Sequence, residues 1–412
     1  MVAEILCVGT ELIFGNIVNT NARFVAQKLA SVGADMEFQT VVADSEEYLK
    51  KALEVALSRS DVVITVGGLG PTSDDLTKET CAAYFNKEMI LDNKTLDDIK
   101  AYFKKRKITY TDNNSRQAKF PKGAKIIRNE NGTAPGCAIE ENGKLIIMLP
   151  GPPSELEPMF IKEVIPILSK RSNSSYNSKT LRMYGLSESA VEEAVKKVID
   201  MKGNPYVATY TQEGEVHLRI TSKADNASIA RQTTDNAAKI LQELFDQNIY
   251  SVDDRSLEET VVATLLKKHL TIACAESCTA GLFTAKFGSC SGVSAVLKEG
   301  VISYSNYSKV SRLNVSRITL ETYGAVSPQT AEEMAIGVVQ NLNANVGVGI
   351  TGIAGPNSDN THKPVGLVYI AVFYDNNTTI REYHFQGDRD KIRSGAVTAA
   401  LDLVRRVING II

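Results

Sequence analysis

Apolar residues recur along this chain with two periods that take turns. Ala3–Val8 is a short β-rich run, Asn21–Val32 carries apolar residues at helical spacing, and Val41 with Val42 closes a second apolar run. Asp44 and Ser45 can cap the next helix, whose Leu49, Leu53 and Leu57 share one face. Val62–Val66 is apolar without interruption, the pattern of a strand buried on both sides. The spacing then predicts helices over 74–86 and 92–107, short strands near 124–128 and 145–149, and a helix from Ser154 to about Leu168. Strands alternating with helices imply a parallel sheet.

The rhythm breaks twice. Arg171–Ser178 is polar and aperiodic and reads as a linker. Beyond it come a strand (Thr180–Tyr184), a helix (Ser187–Asp200), two strands and a helix near 227–245. In the second of those strands Val216, Leu218 and Ile220 alternate with His217, Arg219 and Thr221, as in a sheet covered on one face. Val252–Ser256 reads as a second linker. From Leu257 a helix leads into a strand at Thr271–Ala275, with further strands near 296–303, 345–351, 365–374 and 380–385 and helices near 328–343 and 390–409. The expected fold class is α/β: two α/β domains with mainly parallel sheets, at 1–170 and 257–412, joined by a small α+β module at 179–250.

Composition narrows the function classes. A chain of 412 residues is too long for one ordinary core. A formal net charge of −2 supplies no bulk positive field, which argues against direct nucleic-acid binding. No run reaches the ~20 apolar residues that span a bilayer, and the start MVAEILCVGTEL has no basic segment followed by an apolar core. The cysteines (Cys7, Cys81, Cys137, Cys274, Cys278, Cys290) form no CxxC pair. Reduced thiols and a cytoplasmic location are expected. Four histidines and no paired ligands speak against structural zinc.

Candidate chemistry gathers where predicted strands end. Val62–Thr72 opens a strand into a glycine-rich turn. Gly67, Gly68 and Gly70 let backbone N–H groups, with Thr72, approach a phosphate. Asp74 and Asp75 would repel that phosphate unless a divalent oxygen-ligated cation such as Mg²⁺ lay between. A tight turn with Asp74 as helix cap fits the bare motif equally. Two further loops favour a ligand: Gly9-Thr10-Glu11 after the first strand, and Pro150-Gly151-Pro152-Pro153 after a later one. The loop Gly132–Gly136 is a further contributor.

In the last third, Ala275-Glu276-Ser277-Cys278-Thr279-Ala280-Gly281 turns from strand to helix, where a hydroxyl is exposed near a positive helix end. Gly300–Lys309 follows as a strand and polar loop carrying Tyr304 and Lys309. A desolvated lysine can activate a serine and a tyrosine can orient it, so acyl transfer needs no histidine. Gly349–Pro356, with Thr351, Gly352 and Gly355, can bind phosphate or an oxyanion; Arg389 and Arg393 suit a nucleotide phosphate. Taken singly, Ser277 fits a helix cap, Lys309 a solvated lysine, either arginine a surface ion pair, and Cys274 and Cys278 core thiols.

Together the motifs carry a resemblance. GGLGPTSDDLT, with VGTEL upstream and NGTAPG and LPGPPSE downstream, resembles the domain shared by MoaB- and MogA-type molybdopterin-binding proteins and the CinA family. AESCTAG, YSNYSK, YGAVSPQTAEEMA, ITGIAGP, KPVGLVYIA and FQGDRDKIR resemble the nicotinamide-nucleotide amidases that form the C-terminal half of CinA. The module between, with GLSES at Gly185–Ser189, looks like the KH-type domain of that family but has no GxxG loop; a spacer or interface role is expected.

The resemblance implies Ser277 as nucleophile, Lys309 as base, Tyr304 as an assisting group, and Glu276, Thr279, Thr351, Gly352, Gly355 and Arg389 or Arg393 around the substrate. That substrate would be nicotinamide mononucleotide. It further implies metal-dependent cleavage of the ADP-ribose diphosphate in the N-terminal domain, with Asp74 and Asp75 at the metal and Thr10, Glu11, Gly67, Gly68, Gly70, Thr72 and Gly151 around the nucleotide. The amidase would need no cofactor beyond, at most, a monovalent cation, and the chain would be a homodimer. An amidase with a nucleotide-sensing N-terminal domain, and a non-catalytic competence-associated pterin- or nucleotide-binding protein, are the alternatives. One departure stands out: the family motif reads AESCTGG, and Ala280 puts a methyl group where φ > 0 would be strained.

Overall fold

The computed structural model describes residues 1–171, 174–212, 214–358 and 362–412. They form two compact units, 1–178 with 222–232 and 179–221 with 233–412. The fold class is α/β.

In the first unit β1 (Val2–Val8), β2 (Asp35–Val42) and β3 (Val62–Val66) are followed by the short pair β4 (Met89–Leu91) and β5 (Lys119–Pro121), then β6 (Lys125–Ile127), β7 (Gly136–Glu141) and β8 (Lys144–Leu149). The main sheet has the order β2-β1-β3-β8-β7-β6. It is parallel from β2 to β8 and antiparallel beyond. The unbroken apolar runs follow from two cores. Ala3, Ile5 and Cys7 pack on one side with the helix Thr20–Ser31, while Leu6 and Val8 pack on the other with Leu49, Leu53 and Leu57. The one charge inside β1, Glu4, is met by Arg59 and Thr40 at 2.8 Å each.

A four-stranded sheet follows, built from β9 (Ser175–Tyr184), β10 (Tyr206–Gln212), β11 (Glu215–Ala224) and β12 (Ile249–Ser251) in the order β10-β11-β9-β12. Val216, Leu218 and Ile220 point into its core with Val191, Val195 and Leu241, as their alternation requires.

The last sheet comprises β13 (Ile272–Glu276), β14 (Leu297–Ile302), β15 (Val346–Gly352), β16 (Leu367–Tyr374) and β17 (Asn377–His384), in the order β14-β13-β15-β16-β17. β13 runs parallel to β14 and β15, and β15, β16 and β17 are antiparallel. The helix Pro328–Leu342 lies directly on β15. A Cβ at Gly347 or Gly349 would sit 2.2 Å from the carbonyl oxygen of Ala335 or Ala331, so two glycines in the strand set this close approach.

Several elements differ from the sequence reading. β7 went unseen because its run is only six residues long, opens in the glycine loop at Gly136 and ends at the turn Asn142-Gly143. The supposed linker at 171–178 becomes strand from Ser175, pairing overriding composition. The stretch after Ser303 is not a polar loop but two helices, Asn306–Leu313 and Arg317–Tyr323. Ser154–Leu168 is helical but widens into a π turn at Phe160–Val164, just after Pro158. Among the described residues no helix is long and apolar enough to cross a membrane.

Candidate active sites

In the first unit the C-terminal ends of β1, β3 and β8 bring three loops to one edge of the sheet. After β3, Gly67 and Gly68 take φ of +105° and +67°, and Gly67 N donates to Leu149 O at 2.9 Å. Thr77, buried at the start of the helix Thr77–Tyr84, donates its hydroxyl to Gly67 O at 2.9 Å and fixes the turn. Thr10 exchanges bonds with Asp44, its N–H donating to Asp44 Oδ2 at 2.8 Å. Asn21 Nδ2 donates to Gly151 O at 2.6 Å. Glu11 is exposed beside Gly9.

Asp75 Oδ2 accepts from the N–H of Thr72 at 3.0 Å and from its hydroxyl. Asp74 is exposed and held below the usual carboxylate value, first by the Thr72 hydroxyl, then by its own backbone, with Arg116 adding a smaller pull. Arg116 donates to Thr72 O, to Asp75 O at 3.1 Å and to Glu79 Oε1 at 3.2 Å. Lys78 is 3% exposed and donates to Gln117 O at 2.9 Å; burial lowers its pKa to about 8. Neither cation was singled out in the sequence. Lys78 sits one turn past the aspartates, a weak signal; Arg116 lies in an aperiodic polar stretch that offers none. Among the described residues no three carboxylate, imidazole or thiol groups converge. The two aspartates on this turn supply hard carboxylate oxygens of the kind a divalent ion takes, one of which, Asp75 Oδ2, is engaged by Thr72.

The second unit presents the ends of β13, β14 and β15 at one sheet edge. Ser277 follows β13, its N–H donating to Ile350 O at 2.9 Å. Its hydroxyl lies 3.0 Å from Lys309 Nζ. Lys309 reaches inward from the helix Asn306–Leu313, capped by Ser305, and is 1% exposed. Its other contacts are the carbonyls of Ser303 at 2.7 Å and Tyr304 at 3.4 Å. Among the described residues no carboxylate pairs with it, and burial brings its pKa down from 10.5 to about 8. Cys278 is buried and its thiol is pushed up to about 12, also by burial; Cys274 is likewise raised. These thiols are poor nucleophiles.

The remaining residues divide by role. Glu276 does not face a substrate. Its buried carboxylate takes the N–H groups of Gly281, Phe283 and Thr284 at 3.0, 3.1 and 2.9 Å and the Thr284 hydroxyl at 2.6 Å, pinning the turn that carries Ser277. Thr351 spends its hydroxyl on Ala325 O at 2.6 Å. Gly352 is packed against Leu367 O and Val368. Arg389, at the start of the helix Arg389–Ile408, donates to Gly355 O at 2.6 Å and to the Tyr304 hydroxyl at 3.2 Å. Tyr304 is thus tied to Arg389 and is 57% exposed. Arg393, one turn on, donates to Thr279 O at 2.9 Å. Ala280 takes φ of +51°, the strained conformation that its place in the motif implies.

Fold and sites define a chain with a molybdopterin-binding-like α/β domain, a KH-type module and an α/β domain bearing a buried serine–lysine pair. Residues 4–170 match the family described as probable molybdopterin binding domain, 178–251 the damage-inducible protein CinA KH domain, and 254–408 the CinA C-terminal domain. The CinA-like protein of Kosmotoga olearia is 48% identical over 408 residues, 99% of each chain. A protein described as competence-damage inducible from Clostridium kluyveri is 47% identical over 409 residues, 99% of this chain and 100% of its own. Of solved structures, the protein CinA with unknown function from Thermoplasma acidophilum is 36% identical and covers 40% of this chain and 97% of its own, at a TM-score of 0.37. The chain belongs to the CinA family.

Proposed function

We propose that the C-terminal domain is an amidase that hydrolyses the nicotinamide amide of nicotinamide mononucleotide. The observation that carries this reading is the contact between Lys309 Nζ and Ser277 Oγ at 3.0 Å, made by a buried lysine with no carboxylate partner among the described residues. A neutral amine there accepts the serine proton as Oγ attacks the amide carbon, and the carbonyl electron pair moves onto oxygen. Collapse re-forms the carbonyl and expels ammonia, which takes the proton from Lys309. Water then repeats the sequence on the acyl-serine, giving nicotinate mononucleotide and free Ser277. Arg389 and the start of its helix offer donors for the phosphate.

The N-terminal domain is proposed to cleave the ADP-ribose diphosphate. A divalent ion at Asp74 and Asp75 would neutralise charge on the diphosphate, while the Gly67–Thr72 turn holds its oxygens. The resemblance to CinA supports both substrates, and the homodimer and cytoplasmic location remain part of the same proposal. Ammonia release by the full chain, with Ser277→Ala alongside, tests the amidase. Release by the wild type alone supports it; equal release by both removes Ser277 from the role, and none from folded wild type removes the reading.

A further inference from the structure

The nucleotide reading of the first unit leaves one cavity near its glycine turn without a role. It measures about 350 Å³ and lies between the helix Asn93–Arg106 and the loop that runs from the end of β6 to the start of β7. Its walls are largely apolar, from Ile99, Tyr102, Ile126 and Pro135, and Lys94, Asp98 and Arg128 also line it. Strand pairing fixes its position. Gly67 N donates to Leu149 O at the end of β8, and β7, antiparallel to β8, starts at Gly136 beside that same end. β6 ends there too, as Ile127 pairs with Gly136. The cavity loop and the Gly67–Thr72 turn therefore leave the same sheet edge two strands apart, a lateral step of about 10 Å.

The loop is preformed. Asn129 Nδ2 donates to Ala134 O at 3.1 Å and to Glu155 Oε2 at 2.5 Å, while Asn129 Oδ1 accepts Asn131 N at 3.0 Å. Asn131 Nδ2 donates to Ser154 O at 2.9 Å, and Asn131 O accepts the Tyr102 hydroxyl at 3.3 Å. Small-ligand sites are concave, largely preformed and of roughly 300–1,000 Å³, so this one suits a single nucleoside. Two exposed side chains at the cavity remain uncommitted. Arg128 makes no hydrogen bond or salt bridge among the described residues, with Glu130 as a neighbouring charge, and Asp98 makes none either. A guanidinium stacks on a flat aromatic ring, and a carboxylate takes the hydroxyls of a ribose. A bare phosphate fits less well, because Asp92 and Asp98 share the cavity with Lys94 and Arg128 and the walls are apolar.

We propose that this cavity receives the adenosine half of ADP-ribose, with Arg128 against the base and Asp98 on the ribose hydroxyls. The proposal rests on the diphosphate-cleavage reading of the N-terminal domain. It adds the selectivity that a glycine turn cannot supply: backbone N–H groups hold any phosphate, whereas a walled cavity two strands away reads what the phosphate carries. Neither side chain touches the bond that breaks, so both act on binding.

The test is ribose 5-phosphate release by the full chain with Mg²⁺, from ADP-ribose and from ribose 5-diphosphate, which keeps the diphosphate linkage and lacks adenosine. Arg128→Ala and Asp98→Ala change exposed positions, and Tm is measured for both. The expected result is a ~10-fold rise in KM for ADP-ribose in each variant, the size of one lost charge-assisted contact. kcat should hold, and neither variant should alter cleavage of ribose 5-diphosphate. An unchanged KM for ADP-ribose overturns the proposal. So does an equal loss on both substrates, which places these side chains at the diphosphate. Calorimetric titration of AMP into the same proteins separates the cavity from the cleavage reading. If wild type cleaves neither substrate, that reading falls, and AMP binding weakened by the same factor in Arg128→Ala still supports a nucleoside in the cavity. AMP binding that is absent, or equal in wild type and variant, overturns it.

Discussion

Replacing Lys309 with methionine separates the catalytic and the energetic consequences of its burial. The fold lowers its pKa from 10.5 to about 8. At about 1.4 kcal/mol per pH unit, this disfavours the protonated lysine in the fold by about 3 kcal/mol. The sign follows from linkage. The unfolded chain binds this proton more tightly, so the penalty is complete below the folded value near 8, fades as pH rises and is gone above 10.5. Lys309→Met removes the ionisable group and leaves the carbonyls it serves unpaired at every pH. The stability difference between wild type and Lys309→Met should therefore move in favour of wild type by about 2 kcal/mol between pH 7 and pH 10. Denaturant unfolding at both pH values, followed by a probe in the C-terminal domain, measures it. In the same protein kcat/KM for ammonia release should climb ~10-fold from pH 7 to pH 9 as the neutral amine accumulates, and Lys309→Met should release none. A pH-independent stability difference, or a flat rate profile over that range, refutes the reasoning: the lysine would then be neither desolvated in the fold nor the base.

Three further perturbations probe the rest. Ala280→Gly relieves a left-handed alanine at φ +51° and should stabilise by at most ~1 kcal/mol, since glycine regains part of that in unfolded entropy; a measurable loss of Tm would show that the methyl group packs usefully. Gly67→Ala places a methyl 2.2 Å from Val8 O at φ +105° and should cost ~3 kcal/mol or more in the first unit, read as early unfolding with ADP-ribose cleavage lost; a normal melting curve contradicts it. Removing divalent ions with a chelator should stop ADP-ribose cleavage and leave ammonia release unchanged, as the serine–lysine chemistry needs no metal; parallel loss of both activities would contradict that division.

What the sequence made legible follows from what period and spacing can carry. β1 and β3 were recoverable because each alternates its side chains between two cores, which leaves only the paired Glu4 and the small Thr65 as polar positions. The loops bearing Gly67, Ser277 and Gly355 were recoverable because strand ends in an α/β sheet share one edge. The roles within those loops were not. Glu276 has the composition of a ligand-binding carboxylate and is instead consumed by four donors of its own turn. Lys309 lies in NYSKVSRL, whose polar character reads as solvated loop. Only the fold shows that Ser305 caps a helix there and that the helix turns its lysine inward. Local pattern reports which residues can do chemistry, whereas burial decides which ones must. A lysine with no carboxylate partner among the described residues is a property of the assembled site and of no single segment. That is why motif order could name the serine and the lysine, whereas their contact emerges only once the ends of β13, β14 and β15 have met.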